Sequence, residues 1–330
     1  MHRALRFAAL TVTAAGLMGA GAAQAGQKVN FILNWIAGGD HAPYYYAQSQ
    51  GWYEQAGIDL NIEQGKGSSL SAQRTGIGKN EIGLADLPPV FVTIAKGADT
   101  VAVYNVYANS PYGFYWKKSS GIKTPKDFAG KKIGNPPWDA ARQMWPAYAA
   151  NVGIDPKSVT WVNVKPNAKL AAVLSGSIDV TTSFYNIHHI FAGKLGDDMG
   201  FSPGKEYDVN PYGNSIIVNG TFLKENKATV AAFVKVTQKA FNACAKDSKP
   251  CIEALLAVNK GLKFANETTN WGLVKELMTD DTSTGVGLGY FDPKRMQHSY
   301  EIFEPYLEKP FDMSKHFTNE FIDTSIKLSK

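Results

Sequence analysis

The 330-residue sequence predicts an α/β protein built as two doubly wound lobes joined by a hinge. Short runs rich in Val, Ile, Leu and Phe alternate with helical stretches in a β-α-β-α-β-α-β order from Lys28 to Val106. The same order starts over near Gly113 and runs to Lys194. The last third turns extended once, at residues 214–218, and then reads as long amphipathic helices without strand partners.

In the first lobe, residues 29–35 read as a buried strand and 42–55 as a helix, with Pro43 in its first turn and Gly57 as its stop. Strands follow at 58–63, 82–86 and 101–106, with helices at 70–78 and 88–96 between them. This order predicts a parallel sheet. In the second lobe, strands are expected at 113–116, 132–135, 159–164 and 178–184. Its helices are expected at 139–152, 167–175 and 187–194. A helix from Lys227 to Cys244 and those after it lack strands, so they are expected to pack back on the first lobe. That places 26–109 with 213–330 in lobe one and 110–212 in lobe two, with crossovers near 108–112 and 208–212 as the hinge. In open α/β sheets, ligands sit beyond the carboxyl ends of the strands. Two facing lobes therefore make a cleft.

The first 25 residues differ in kind. His2, Arg3 and Arg6 precede an apolar stretch rich in Ala, Gly and Leu, and Ala23-Gln24-Ala25 ends it as a small-x-small cleavage signal. This reads as a secretory signal peptide, and no Cys follows it to carry a lipid. Without Arg3 and Arg6 the formal charge of +5 falls to +3. The basic residues are scattered, which argues against nucleic acid as a partner. The only cysteines, Cys244 and Cys251, fit a structural disulfide in an oxidising compartment better than a metal site. No Gly-x-Ser-x-Gly elbow, phosphate loop or His-x3-His pair occurs, and no catalytic, metal or cofactor site is expected.

The candidate binding residues lie in strand-end loops and crossovers. After the first strand come Asn34, Trp35, Asp40 and His41, with Tyr44 just inside the helix. Ser68 and Ser69 open the next helix, where backbone N–H groups face outward. Asp86 follows the third strand. Trp138, Asp139 and Arg142 sit at a strand-to-helix junction in lobe two, and Tyr185 at another. Ser110, Tyr112, Tyr212 and Asn214 mark the crossovers. The rings offer stacking faces to a planar ligand, and the carboxylates accept hydrogen bonds from ring amino groups. Arg142 suits a carboxylate or sulfonate instead. Asp139 and Asp86 read equally as helix caps, and His41 equally as a structural histidine.

The segment Phe31-Ile32-Leu33-Asn34-Trp35, then His41-Ala42-Pro43, then residues 51–60 (Gly-Trp-Tyr-Glu-Gln-Ala-Gly-Ile-Asp-Leu) resembles the NMT1/THI5-like solute-binding proteins. Residues 78–86, 130–134 and 176–180 carry the resemblance through most of the chain. It implies a periplasmic binding protein fold of type II-like form, a periplasmic monomer that delivers a small molecule to an ABC permease and its ATPase. Carriers of thiamine pyrimidine precursors belong to this family, and carriers of alkanesulfonates, taurine and nitrate lie further off. A thiamine-type aminopyrimidine is the leading ligand expectation, with Trp35 and tyrosines stacking on it. An anion held by Ser68, Ser69, Asn214 and Arg142 is the alternative. One fungal branch is a hydroxymethylpyrimidine synthase with a Lys for pyridoxal phosphate, a His and a Cys-rich motif. Those groups align with Ala85, Pro89 and residues 211–214, none of which supplies them.

Overall fold

The computed structural model describes residues 26–329, so the signal-peptide expectation lies outside the described residues. Ten strands form two sheets: β1 (Gln27–Ile32), β2 (Ile58–Glu63), β3 (Ile82–Asp86), β4 (Thr100–Asn105), β5 (Tyr112–Lys117), β6 (Lys132–Asn135), β7 (Thr160–Asn163), β8 (Val180–Phe184), β9 (Met199–Pro203) and β10 (Asn214–Asn219). The first sheet has the order β2-β1-β3-β10-β4 and the second β7-β6-β8-β5-β9.

Neither sheet is wholly parallel, which corrects the sequence expectation. β10 runs antiparallel to β3 and β4, and β5 runs antiparallel to β8 and β9. The cause is the hinge. Parallel strands such as β1, β3, β6 and β8 carry the chain towards the cleft. β5 and β10 enter their lobes from the cleft side, so each must run the other way. A parallel neighbour would have needed a long crossover first.

Two further boundaries differ. The helix expected at 42–55 breaks into Ala42–Ser49 and Trp52–Gln55, because Gly51 sits at φ +64° between them. The first strand ends at Ile32, and Leu33 to His41 becomes the cleft loop.

Each sheet buries both faces. In β5, Phe114 and Trp116 face one cluster with Phe128, Trp145 and Tyr148, while Tyr115 faces the other with Phe191. That is the period-two alternation of a strand. The helix Lys227–Lys246 presents Val230, Phe233, Val234, Thr237, Phe241 and Cys244 at helical spacing and buries all of them. Phe233 touches Phe31 and Tyr53, with centroids 5.3 and 5.4 Å apart. Truncating it to Ala should cost about 3–5 kcal/mol. Cys244 and Cys251 form a disulfide with Cα atoms 5.9 Å apart. It joins this helix to the helix Lys249–Val258, and Trp271 Nε1 donates to Cys244 O at 3.0 Å beside it. Among the described residues no helix is long and apolar enough to cross a membrane.

Candidate functional site

A cavity of about 320 Å³ lies between the lobes. Its lobe-one wall comes from the loop after β1, through residues 35–38 and Asp40, and from Glu267 and Asn270 of the helix Phe264–Met278. Its lobe-two wall comes from Tyr112, Asp139, Lys169, Ser183, Phe184 and the segment around Ile187 and Ile190.

Local chemistry fixes these positions. Gly39 N donates to Glu267 Oε2 at 2.6 Å. A Cβ at Gly39 would run into the Glu267 carbonyl oxygen, so only glycine lets the loop lie this close to the helix. Burial pushes the Glu267 carboxyl up, the Gly39 N–H holds it back, and the charge of Asp40 adds to the rise. Asp139 Oδ1 accepts from Tyr112 Oη at 2.9 Å and from Ala141 N at 3.0 Å. Asp139 therefore bonds the first residue of the helix Ala141–Val152 and also lines the cavity.

Lys169 opens the helix Lys169–Ser175 and is 6% exposed. Its Nζ donates to Thr182 O at 2.8 Å and stands 3.5 Å from Asp139 Oδ2. Burial lowers its pKa, and Asp139 counters the fall. The same Nζ lies 5.0 Å from the ring centroid of Trp35, across the cleft. Such a contact contributes about 0.5–2 kcal/mol to closure. Below the cavity, Ser68 Oγ donates to Asp86 Oδ2 at 2.8 Å, while Asp86 Oδ1 is buried without a partner. Burial raises this carboxyl from 3.8 to about 7; Ser68 opposes the rise, and Asp139 and Asp40 add to it.

The lobes touch at the rim. Ser69 N donates to Trp138 O at 3.2 Å and Asn186 Nδ2 to Asn270 Oδ1 at 3.1 Å. The crossovers are stitched together behind the cavity. Ser110 N donates to Asn210 Oδ1 at 2.8 Å. Arg295 reaches the carbonyl of Ala108, pairs with Asp280 at 2.8 Å and lies 4.7 Å over the ring of Tyr212.

Of the residues singled out in the sequence, Trp35, Asp40, Tyr112 and Asp139 line the cavity. Asn34 and His41 do not: they are buried behind the loop, with Asn34 Oδ1 2.8 Å from His41 Nε2. His41 Nδ1 faces Gly38 N at 3.2 Å and Asp40 Oδ1 at 3.1 Å. Tyr44 is core, packed edge-on against Phe31 and Phe241 at 4.9 and 5.3 Å. None of Tyr44, Tyr45 and Tyr46 lines the cavity. Ser69 and Trp138 line an outer groove instead, and Ser110 and Tyr185 a smaller pocket of about 210 Å³ beside the hinge. Tyr212 is buried under the hinge, where its hydroxyl accepts from Asp292 N at 2.9 Å. Asn214 is buried opposite Asp86 in the β10–β3 register. Arg142 is turned away from the cavity. It donates to Asn135 Oδ1 at 2.8 Å and Asn163 Oδ1 at 2.7 Å and stacks over Trp161. The anion set Ser68, Ser69, Asn214 and Arg142 is thus not gathered around the cavity.

Sequence reading missed Lys169, Glu267 and Asn270, and from the strand-end segment 183–186 it favours Tyr185, whereas Phe184 and Asn186 line the cavity. Lys169 and Phe184 follow or end strands, so the strand-end rule covers them. Glu267 and Asn270 sit on a helix more than 220 residues from the loop they face, with no local signal.

The family model described as NMT1/THI5 like matches residues 39–249. The chain is 21% identical over 259 residues to the formylaminopyrimidine-binding protein of Halalkalibacterium halodurans, covering 78% of this chain and 76% of that one. It is 27% identical over 163 residues to the 4-amino-5-hydroxymethyl-2-methylpyrimidine phosphate synthase of Legionella pneumophila, covering 49% of this chain and about half of the relative, 51%. The structure of the periplasmic aliphatic sulphonate binding protein SsuA of Escherichia coli superimposes with a TM-score of 0.66 at 14% identity, covering 88% of this chain and 97% of the other. That likeness shows the periplasmic binding protein fold.

Proposed function

Because the chain belongs to the NMT1/THI5-like family, we propose that it is the periplasmic solute-binding subunit of an ABC importer, exported by its N-terminal signal and acting as a monomer. It captures a small planar, amino-bearing heteroaromatic molecule of the thiamine-pyrimidine kind between lobes 26–109 with 213–330 and 110–212. The observation that carries the ligand class is the composition of the cavity. Its volume suits one ring system with small substituents. Trp35, Ile36, Leu170, Phe184 and Ile187 supply apolar walls, while Asp40, Asp139 and Glu267 supply acceptors for N–H donors. Lys169 is the one cationic side chain on the wall, and it is already shared with Asp139. An anion would meet three carboxylates at close range, a like-charge cost.

The synthase relatives make an enzyme the second reading. Against it, this chain has Ala85 and Pro89 where the resemblance places the Lys and His, and its two cysteines are joined in a disulfide away from the cleft. Transport needs only capture, closure and release.

The test is a thermal-shift screen of the exported protein against hydroxymethyl- and formylamino-pyrimidines, thiamine, taurine, alkanesulfonates, nitrate and aromatic acids. A ligand at 100 times its Kd adds about 2.7 kcal/mol of stability. Pyrimidines are expected to raise the melting temperature. A rise with sulfonates or nitrate alone would overturn the ligand class.

A further inference from the structure

We propose that Lys169 is the specificity-determining donor of the cleft, holding an oxygen acceptor on the ligand. The ligand is then a planar amino-heteroaromatic that also carries a hydroxyl, carbonyl or formyl group. This rests on the reading above that a planar ring occupies the cavity.

An ammonium has three N–H donors. In Lys169 one reaches Thr182 O at 2.8 Å, and a second points more loosely at Asp139 Oδ2, 3.5 Å away. The third has no protein partner, and the side chain lines the cavity. Nζ lies over the Trp35 ring, 5.0 Å from its centroid, so a ring packed against the part of Trp35 that the ammonium leaves open brings a substituent against it. Among its neighbours, Tyr112 Oη is spent on Asp139 and one N–H of Asn186 Nδ2 on Asn270, which leaves Lys169 as the one charged donor beside the neutral Asn167, Ser183 and Asn270. A carboxylate can only accept. Lobe one thus offers Asp40 and Glu267 to an amino edge, while lobe two sets the charged donor Lys169 beside the acceptor Asp139, where it can hold an oxygen. A ring lacking the oxygen leaves a desolvated N–H unpaired, and a purely cationic ring meets Lys169 as a like charge.

A hydrogen bond to a charged donor corresponds to a discrimination of about 10- to 100-fold. Calorimetric titration of the exported protein with 4-amino-5-hydroxymethyl-2-methylpyrimidine and with 4-amino-2,5-dimethylpyrimidine measures it directly. The wild type is expected to prefer the hydroxymethyl compound by that factor. Lys169→Met should bring the two affinities within about threefold, mainly by weakening the hydroxymethyl compound. Lys169→Gln retains a neutral donor and should fall between; it carries the test if Lys169→Met fails to fold by near-UV circular dichroism. Equal binding of both compounds by the wild type, or discrimination that survives both substitutions, overturns the role of Lys169 and leaves the planar-ring reading standing. Binding of neither compound by the wild type overturns that reading and this proposal with it.

Discussion

Replacing Asp86 by Asn should make the protein more stable at neutral pH and flatten its pH dependence. Asp86 is 1% exposed, and one of its oxygens has no hydrogen-bond partner. Burial raises its carboxyl from 3.8 to about 7. A raised carboxyl pKa means that the folded state holds the proton more tightly than the unfolded one. The group costs nothing well below 3.8, its cost grows as pH rises towards 7, and the cost is constant above that. Three pKa units correspond to about 4 kcal/mol, of which about 2 kcal/mol accrues between pH 5 and pH 7. For a chain of this size that interval equals about 3 °C in Tm. Asn keeps an acceptor for Ser68 Oγ and never ionises. Melting curves of wild type and Asp86→Asn at half-unit steps from pH 4.5 to 8 read this directly. The gap between the two curves should widen with pH and level off above pH 7, at up to about 6 °C. Curves that stay parallel across the range would refute the claim that ionised Asp86 is a standing cost beside the cleft.

Three further outcomes follow from other contacts. Arg142→Ala should cost about 1–3 kcal/mol, because its bonds to Asn135 and Asn163 are lost, yet leave ligand affinity within twofold; a large loss of affinity by titration would return Arg142 to the cleft. The Cys244–Cys251 disulfide closes only a short loop, since the two lie 7 residues apart, so opening it with reductant should lower stability in denaturant unfolding by about 2–3 kcal/mol. Arg295→Met removes the contacts to Asp280 and the Ala108 carbonyl that tie the crossovers to lobe one; small-angle scattering of the ligand-free protein should show a larger radius of gyration, and an unchanged radius would deny Arg295 a hold on the hinge.

The two lobes were legible because hydrophobic runs and helical stretches alternate with clear period changes, and because the final helices lack strands. The strand directions were less so. β5 and β10 look like any apolar strand, and only the hinge geometry turns them around. At the site, the strand-end rule found Trp35, Asp40 and Asp139 and the crossover reading found Tyr112, because backbone position alone brings them to the cleft edge. It also drew in Tyr44, whose ring fits the core as well as a ligand does. Helical phase around Pro43 does not say which of three consecutive tyrosines turns outward. Glu267 was invisible, because its role depends on a long-range approach that Gly39 permits and no local pattern records.

The most direct test of the account is a crystal structure of the exported protein grown with 4-amino-5-hydroxymethyl-2-methylpyrimidine. The account predicts ring density stacked on Trp35 inside the interlobe cavity, with its amino edge within hydrogen-bond distance of Glu267, Asp40 or Asp139. A ring bound outside the cavity, or an empty cleft in crystals that instead take up an alkanesulfonate there, would contradict it.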